Sequence, residues 1–186
     1  MIKRTFIAVK IETTTETERL VANLRSLLGN ENIKWADIRN IHVTLAFMGD
    51  TPVVKIAPIT QLIKGKCAGF GKFDFMLAGT GIFRNFRDPR IIWAGIKPQD
   101  GLIKLRALIT ECLEAGDVGF DGKPFVPHLT LGRLKNIKDI ENLRRVLEKY
   151  RNIEFQKVWI NEVVLFESIL KPAGPVYIPL ATLPLS

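Results

Sequence analysis

The sequence predicts an α+β fold of two pseudo-symmetric lobes. Each lobe is an antiparallel-type sheet with covering helices, and two strands of one pattern line a central cleft between them. Three observations predict it. Both histidines of the 186-residue chain sit in the same four-residue pattern, His42-Val43-Thr44-Leu45 and His128-Leu129-Thr130-Leu131. A helical stretch precedes each pattern at nearly the same distance, and another follows each ten residues past the histidine. The rest alternates as short strands between Gly- and Pro-containing connections.

The first helix is expected over 15–28. Thr15 and Glu18 form a capping-box pair, Leu20, Val21, Leu24, Leu27 and Leu28 recur at helical spacing, and Gly29 supplies a stop. Its counterpart is 102–115, with Leu105, Leu108, Ile109 and Cys112 on one side and Gly116 after it. Further helices start near Pro52 and Lys138; Pro58 is expected to weaken or shorten the first of these. Strands are expected over 3–11, 41–49, 72–79, 90–96, 128–133, 155–159, 163–168 and 176–180. Gly79-Thr80-Gly81 and Lys171-Pro172-Ala173-Gly174-Pro175 read as connections. Residues 1–186 form one bilobal domain with no separate linker.

The composition is that of a soluble globular protein, with 47% hydrophobic and 25% charged residues and mean hydropathy +0.12. No apolar run approaches the ~20 residues of a membrane span. The N-terminal run reads as a first strand, because Lys10 and Glu12 interrupt it too early for a signal peptide. Cys67 and Cys112 fit no disulfide framework or zinc spacing and are expected to be buried, in a reducing cytoplasm. A net charge of +8 favours polyanionic partners, although the basic residues form no long run.

In a strand, residues i and i+2 share a face, so His42 and Thr44 point one way while Val43 and Leu45 enter the core. His128 and Thr130 do the same against Leu129 and Leu131. The next same-face residues under strict alternation, Ala46 and Gly132, are small and would leave space beside each imidazole. A lone His-x-Thr is usually an ordinary strand residue with a hydrogen-bond partner. Two copies that use every histidine, in matching context, point to function. Imidazole titrates near pH 6.5, so a neutral–cationic pair supplies a base and an acid. That suits displacement at phosphorus, with one proton removed from the attacking oxygen and another given to the leaving oxygen. Thr44 and Thr130 hydroxyls could hold non-bridging oxygens. Arg133 could add a charge-assisted contact, but its parity is opposite to His128, so it reaches the cleft only if the strand ends or bulges near Gly132. No metal site is indicated.

With these motifs the chain resembles the two-histidine phosphoesterase superfamily, and within it the RNA 2′,3′-cyclic phosphodiesterase family, also called 2′-5′ RNA ligases. The resemblance covers nearly the whole chain. It rests on Arg4-Thr5-Phe6-Ile7-Ala8-Val9, on Ile41 to Gly49 with the first motif, on Gly79-Thr80-Gly81-Ile82-Phe83 followed by Pro89 to Gly95, on Phe125 to Arg133 with the second motif, and on Leu165-Phe166-Glu167-Ser168 with Gly174-Pro175-Val176-Tyr177. It implies a bilobal fold, no metal or other cofactor, and hydrolysis of RNA 2′,3′-cyclic phosphate ends to 2′-phosphomonoesters. It further implies reversible 2′-5′ joining of RNA ends, with a ribose hydroxyl in place of water. Under it His42 is the proton donor to the departing 3′ oxygen and His128 the proton acceptor from water. Thr44, Thr130 and Arg133 bind the phosphate. The implied partners are RNA ends, tRNA fragments among them, with no membrane; the cleft needs only one chain, so a monomer is expected.

The segment from Phe83 to Arg90 is longer and more basic than the family's turn. Arg84, Arg87 and Arg90 could track an RNA backbone with Phe86 stacking on a base, or the segment could be a solvated loop. Trp35, Trp93 and Trp159 are expected in the core or cleft wall. Tyr177 and Phe47 are expected beside the cleft, and Glu167-Ser168 in a structural role. Two alternatives stay open: a phosphodiesterase for small cyclic phosphates or 2′-5′ oligonucleotides, and an RNA-end binding module without turnover.

Overall fold

A computed structural model describes residues 1–172 and 174–186; of the 171–175 connection, Ala173 lies outside the described residues. Among these residues the chain runs β1 (Ile2–Lys10), α1 (Thr15–Leu27), β2 (Asn32–Trp35), a 3-10 turn (Ile38–Asn40), β3 (His42–Pro52), α2 (Val53–Cys67), β4 (Phe73–Phe83), β5 (Ile91–Lys97), α3 (Asp100–Ala115), β6 (Leu129–Asn136), α4 (Ile140–Lys149), β7 (Glu154–Ile160), β8 (Glu162–Lys171) and β9 (Gly174–Pro184). The strands form two antiparallel sheets, ordered β3-β1-β8-β9 and β2-β6-β5-β4-β7. The α+β class and the two-sheet architecture are as expected.

The halves of the chain exchange elements. α2 and α3 cover the first sheet, whereas α1 and α4 pack against β7 and β4 of the second. The helix ahead of each motif therefore serves the other motif's sheet. Each sheet draws strands from both halves, and so neither half encloses a core of its own.

Local structure departs from the sequence pattern where tertiary contacts take over. The α1 N-cap is Thr14, not Thr15, and its side chain makes no cap bond. The amide side chain of buried Gln156, from β7, does that work. Its Oε1 accepts from the Thr14 amide (3.1 Å) and the Thr17 hydroxyl (2.6 Å), and its Nε2 donates to the Glu12 carbonyl. Glu18, freed from a capping box, takes the Thr13 hydroxyl instead. Pro58 does not shorten α2, which runs fifteen residues through it. The proline leaves the carbonyl of Val54 without its helical donor, and Val54 is 80% exposed, on the solvent side of the helix.

The expected connection at Gly79 is instead a bulge inside β4, which continues to Phe83. Gly79 has φ +73, and its amide donates to the Ile153 carbonyl (2.9 Å). The short edge strand β2 carries no alternation long enough to be expected. Cys67 and Cys112 are both buried, and burial pushes the Cys67 thiol up to about 11. Ser168 is buried, and Glu167 pairs with Lys3 between β8 and β1. Trp35 and Trp93 are half-buried as expected, but Trp159 is 61% exposed on edge strand β7, with the Lys157 ammonium 4.7 Å from its ring centre. Among the described residues no helix is long and apolar enough to cross a membrane.

A Cβ at Gly79 would lie 2.3 Å from the backbone oxygen of Arg151, in a left-handed conformation that L side chains resist. Gly79→Ala should lower unfolding free energy by about 2–4 kcal/mol through clash and strain together, seen as an earlier urea midpoint at unchanged m. A midpoint equal to the parent's would refute this account of the bulge.

Candidate active site

The two motif strands approach one another, since β3 and β6 are in contact where the sheets meet. His42 opens β3, and His128 stands one residue before β6. The two imidazoles are held identically. Nδ1 of His42 lies 2.7 Å from the Asn40 carbonyl, and Nδ1 of His128 lies 2.7 Å from the Val126 carbonyl, each two residues upstream. A carbonyl only accepts, so each Nδ1 carries a proton and donates it. Each Nε2 is left to titrate. Pro127 after Val126 favours the extended backbone that this clamp uses.

Both motifs then bulge at the same place. β3 passes from Thr44, opposite Ala8, to Ala46, opposite Ile7, which leaves Leu45 as the extra residue. β6 passes from Thr130, opposite Trp93, to Gly132, opposite Ile92, which leaves Leu131 as the extra residue. Burial follows: Leu45 and Ala46, like Leu131 and Gly132, are buried in succession. Ala46 and Gly132 therefore do not open space beside the imidazoles. They face the core, where a Cβ on Gly132 would stand 2.9 Å from Ile33 and 3.2 Å from Trp35. The gain is at the next position. Phe47 and Arg133, each five residues past its histidine, return to the face of the motif threonines, and Arg133 meets the bulge condition set by its parity.

The carbonyls of the two bulge residues are both satisfied. That of Leu131 accepts from the Ala36 amide (2.9 Å). That of Leu45 accepts from Arg106, a residue that no motif in the sequence marks. Arg106 lies between the rings of Phe120 and Phe125 (5.4 and 5.6 Å) and also donates to the Asp121 carbonyl (3.2 Å). Asp121 in turn donates its amide to the Phe47 carbonyl (2.8 Å). Arg106 thus ties the first motif's bulge to the loop that leads into His128. No local pattern announces such a residue, because its partners are backbone carbonyls distant in the chain.

The surroundings differ between the two sides. His42 rests on an aromatic floor. Phe6 lies 5.0 Å away, Tyr177 stands edge-on at 5.2 Å, and Phe166 lies 6.5 Å off, with Phe47 packed against the same cluster. Tyr177 stands beside His42 as expected. A hollow of about 250 Å³ opens beside His42, walled by Lys10, Val164, Phe166, Tyr177 and Pro179. His128 meets Phe83 edge-on at 4.5 Å, and Phe83 leans on Trp93 at 5.8 Å. The Trp93 ring lies over Gly81, and its indole N–H is the one buried side-chain polar atom without a partner among the described residues. Thr44 is exposed and Thr130 half-buried; among the described residues neither hydroxyl has a hydrogen-bond partner.

Burial holds both imidazoles below their usual pKa. Each clamping carbonyl opposes that shift, and the positive charge of Arg133 adds to it. Burial raises the Tyr177 phenol, again against Arg133. One guanidinium thus bears on both histidines and the tyrosine. Among the described residues no three His, Cys, Asp or Glu side chains converge to hold a metal ion.

The basic loop, read either as an RNA track with a stacking platform or as a solvated loop, is largely tied to the protein itself. Arg84 and Arg90 both pair with Asp88. Phe86 packs against the core beneath the guanidinium of Arg144, 4.7 Å from its ring centre. Arg87 alone of the three arginines is exposed with no ion-pair partner among the described residues.

Residues 5–169 match the model of the 2′-5′ RNA ligase superfamily. The chain is 29% identical over 177 residues to a protein of Methanothermobacter thermautotrophicus named RNA 2′,3′-cyclic phosphodiesterase, covering 94% of each. It is 32% identical over 175 residues to an Archaeoglobus fulgidus protein of the same name, covering 94% of this chain and 96% of the relative. The crystal structure of TT0787 of Thermus thermophilus superposes with TM-score 0.78 at 25% identity, over 98% of this chain and 97% of that one. With a match that runs from the first strand into the eighth, and relatives aligned over nearly their whole length, the chain belongs to the 2′-5′ RNA ligase superfamily.

Proposed function

We propose that the protein hydrolyses RNA 2′,3′-cyclic phosphate ends to 2′-phosphomonoesters, with His42 and His128 as a facing acid and base. The observation that carries this reading is the matched clamp: both Nδ1 atoms donate to carbonyls, which leaves two Nε2 atoms free for proton transfer. Relatives named RNA 2′,3′-cyclic phosphodiesterase support the substrate. Water attacks phosphorus as His128 Nε2 takes its proton. The P–O3′ bond breaks, and protonated His42 gives its Nε2 proton to the departing 3′ oxygen. Exchange with solvent resets both rings. Thr44 and Thr130 donate to non-bridging oxygens, and Arg133 balances the charge gathered on them in the transition state. With a ribose hydroxyl as attacking group, the same acid and base form a 2′-5′ bond, and the reaction reverses along the same path.

The hollow beside His42 suits the terminal nucleoside, whose 3′ oxygen departs on that side. A tRNA fragment ending in a cyclic phosphate fits such a site, met in the cytoplasm. One chain carries every group invoked, so a monomer suffices.

Purified protein incubated with a nucleoside 2′,3′-cyclic phosphate in EDTA should accumulate the 2′-phosphate. His42→Ala and His128→Ala should each lower kcat by about 10²–10⁴-fold while far-UV circular dichroism stays unchanged. A variant that retained near-parental turnover would falsify the acid–base pair. Exclusive 3′-phosphate product would overturn the assignment of the leaving oxygen, and tight binding without product would favour an end-recognition module.

The pH dependence follows from the lowered pKa values. In the free enzyme the acid must hold its proton, and its lowered pKa moves the alkaline limb of kcat/KM below the usual value of 6.5. The two limbs belong to the coupled pair. Arg133 opposes both imidazolium ions, so Arg133→Met should raise KM and also shift the whole bell to higher pH. An unmoved bell in this variant would exclude Arg133 from the space between the histidines.

A further inference from the structure

We infer that Lys34 binds the internucleotide phosphate nearest the reacting end, so that the site is built for an oligonucleotide in preference to a mononucleotide. The inference rests on the hydrolase reading above and extends it to a residue outside both motifs. Lys34 lies on β2 directly opposite Arg133 of β6, and Arg133 is in turn opposite Ile91 of β5. Directly paired residues share a face, with Cβ atoms about 4.5–5.5 Å apart. The flanking residues Ile33 and Trp35 point the other way, against Gly132 and the core. Lys34 therefore stands beside Arg133 on the cleft face, and both are exposed.

Like charges directly opposite each other destabilise an antiparallel pair. Here, among the described residues, ten ion pairs form and none includes Lys34 or Arg133. In the loop of residues 84–90, Arg84 and Arg90 share the carboxylate of Asp88, whereas no carboxylate among the described residues pairs with Lys34 or Arg133. An anion bridging the two would remove the repulsion. The reacting phosphate can engage Arg133, and two threonine hydroxyls with a bidentate guanidinium already use about four acceptor positions on its two non-bridging oxygens. The next phosphodiester along the strand supplies a second anion at a lysine's reach.

The pseudo-symmetric position argues the same way. In the first lobe the loop residue Asp121 bonds the backbone of Phe47 as β2 bonds β6, and there the pair is acidic and aromatic. Asp121 is paired with Lys123. One lobe thus offers an aromatic floor and a neutralised carboxylate, and the other a row of two uncompensated cations. A nucleoside fits the first and a phosphodiester the second.

The test compares kcat/KM for cytidine 2′,3′-cyclic phosphate with that for a dinucleotide ending in the same cyclic phosphate. The proteins are the parent, Lys34→Met, Lys34→Glu, and Lys64→Met as a matched charge loss on the distant helix α2. In Lys34→Met the dinucleotide-to-mononucleotide ratio should fall about three- to tenfold, chiefly through KM for the dinucleotide, and Lys34→Glu should lower it further. The salt dependence of the dinucleotide constant should flatten by about one ion, as expected for one lost phosphate contact. Lys64→Met should keep the parental ratio. A ratio in Lys34→Met within twofold of the parent's, or an equal loss on both substrates, would overturn the inference while leaving the hydrolase standing. A parent inactive on both substrates would instead sink the hydrolase reading, and this inference with it.

Discussion

A strictly alternating strand would send Arg133 away from His128, because five residues separate them and odd separations fall on opposite faces. The bulge at Leu131 cancels that parity, and the bulge at Leu45 does the same for Phe47. The site depends on this paired irregularity. It places two successive residues in the core, Leu45-Ala46 and Leu131-Gly132, and returns the following side chain to the cleft. Gly132 is required because Ile33 and Trp35 already occupy the volume a Cβ would take. Bulging frees carbonyls from the ladder, and an unpaired buried carbonyl costs about 1–3 kcal/mol. The Ala36 amide and the Arg106 guanidinium offset that cost, one for each motif.

Equal backbones with unequal side chains give the site its direction. Clamps and bulges repeat in both motifs, yet the residue five past the histidine is aromatic in one and cationic in the other. His42 is thereby set on Phe6, Phe166 and Tyr177, while Arg133 stands at the second lobe. A symmetric pair of histidines could not tell attacking oxygen from leaving oxygen. In the proposed reaction, an apolar floor on one side and a charge on the other would orient a substrate that is part nucleoside and part phosphate, and so assign one ring to each oxygen.

The repeat is legible in the sequence because it is local. His, Thr and the apolar residues between them report a strand face directly, and the helices announce themselves by their spacing. Arg133 is legible conditionally: parity states what is needed, and register supplies it. What escapes is non-local. The Thr15–Glu18 pattern is sound chemistry in the wrong place, because Gln156 reaches α1 from β7, over 140 residues away in sequence. The exchange of helices between lobes leaves no mark on periodicity, since a helix shows an apolar face without naming the sheet it covers. Phe86 reads as a free platform because its burial under Arg144 depends on α4. Ala46 and Gly132 read as open space only if strict alternation continues, and the bulge interrupts it.

The lowered histidine pKa values pose a problem that the substrate itself resolves. Burial and Arg133 both favour neutral rings, which works against the proton that the proposed acid must carry. A cyclic phosphate brings a negative charge between the rings. An anion close to an imidazole favours the protonated form, and it also neutralises the guanidinium that opposes protonation. Binding therefore acts twice in the same direction, and it acts most on the ring nearer the departing oxygen. In the proposed reaction the acid is completed by the group it protonates, while the ring that takes the proton from water stays neutral. An uncharged ligand of similar shape would bring neither effect, so in the proposed reaction the charge of the phosphate serves proton transfer as well as binding.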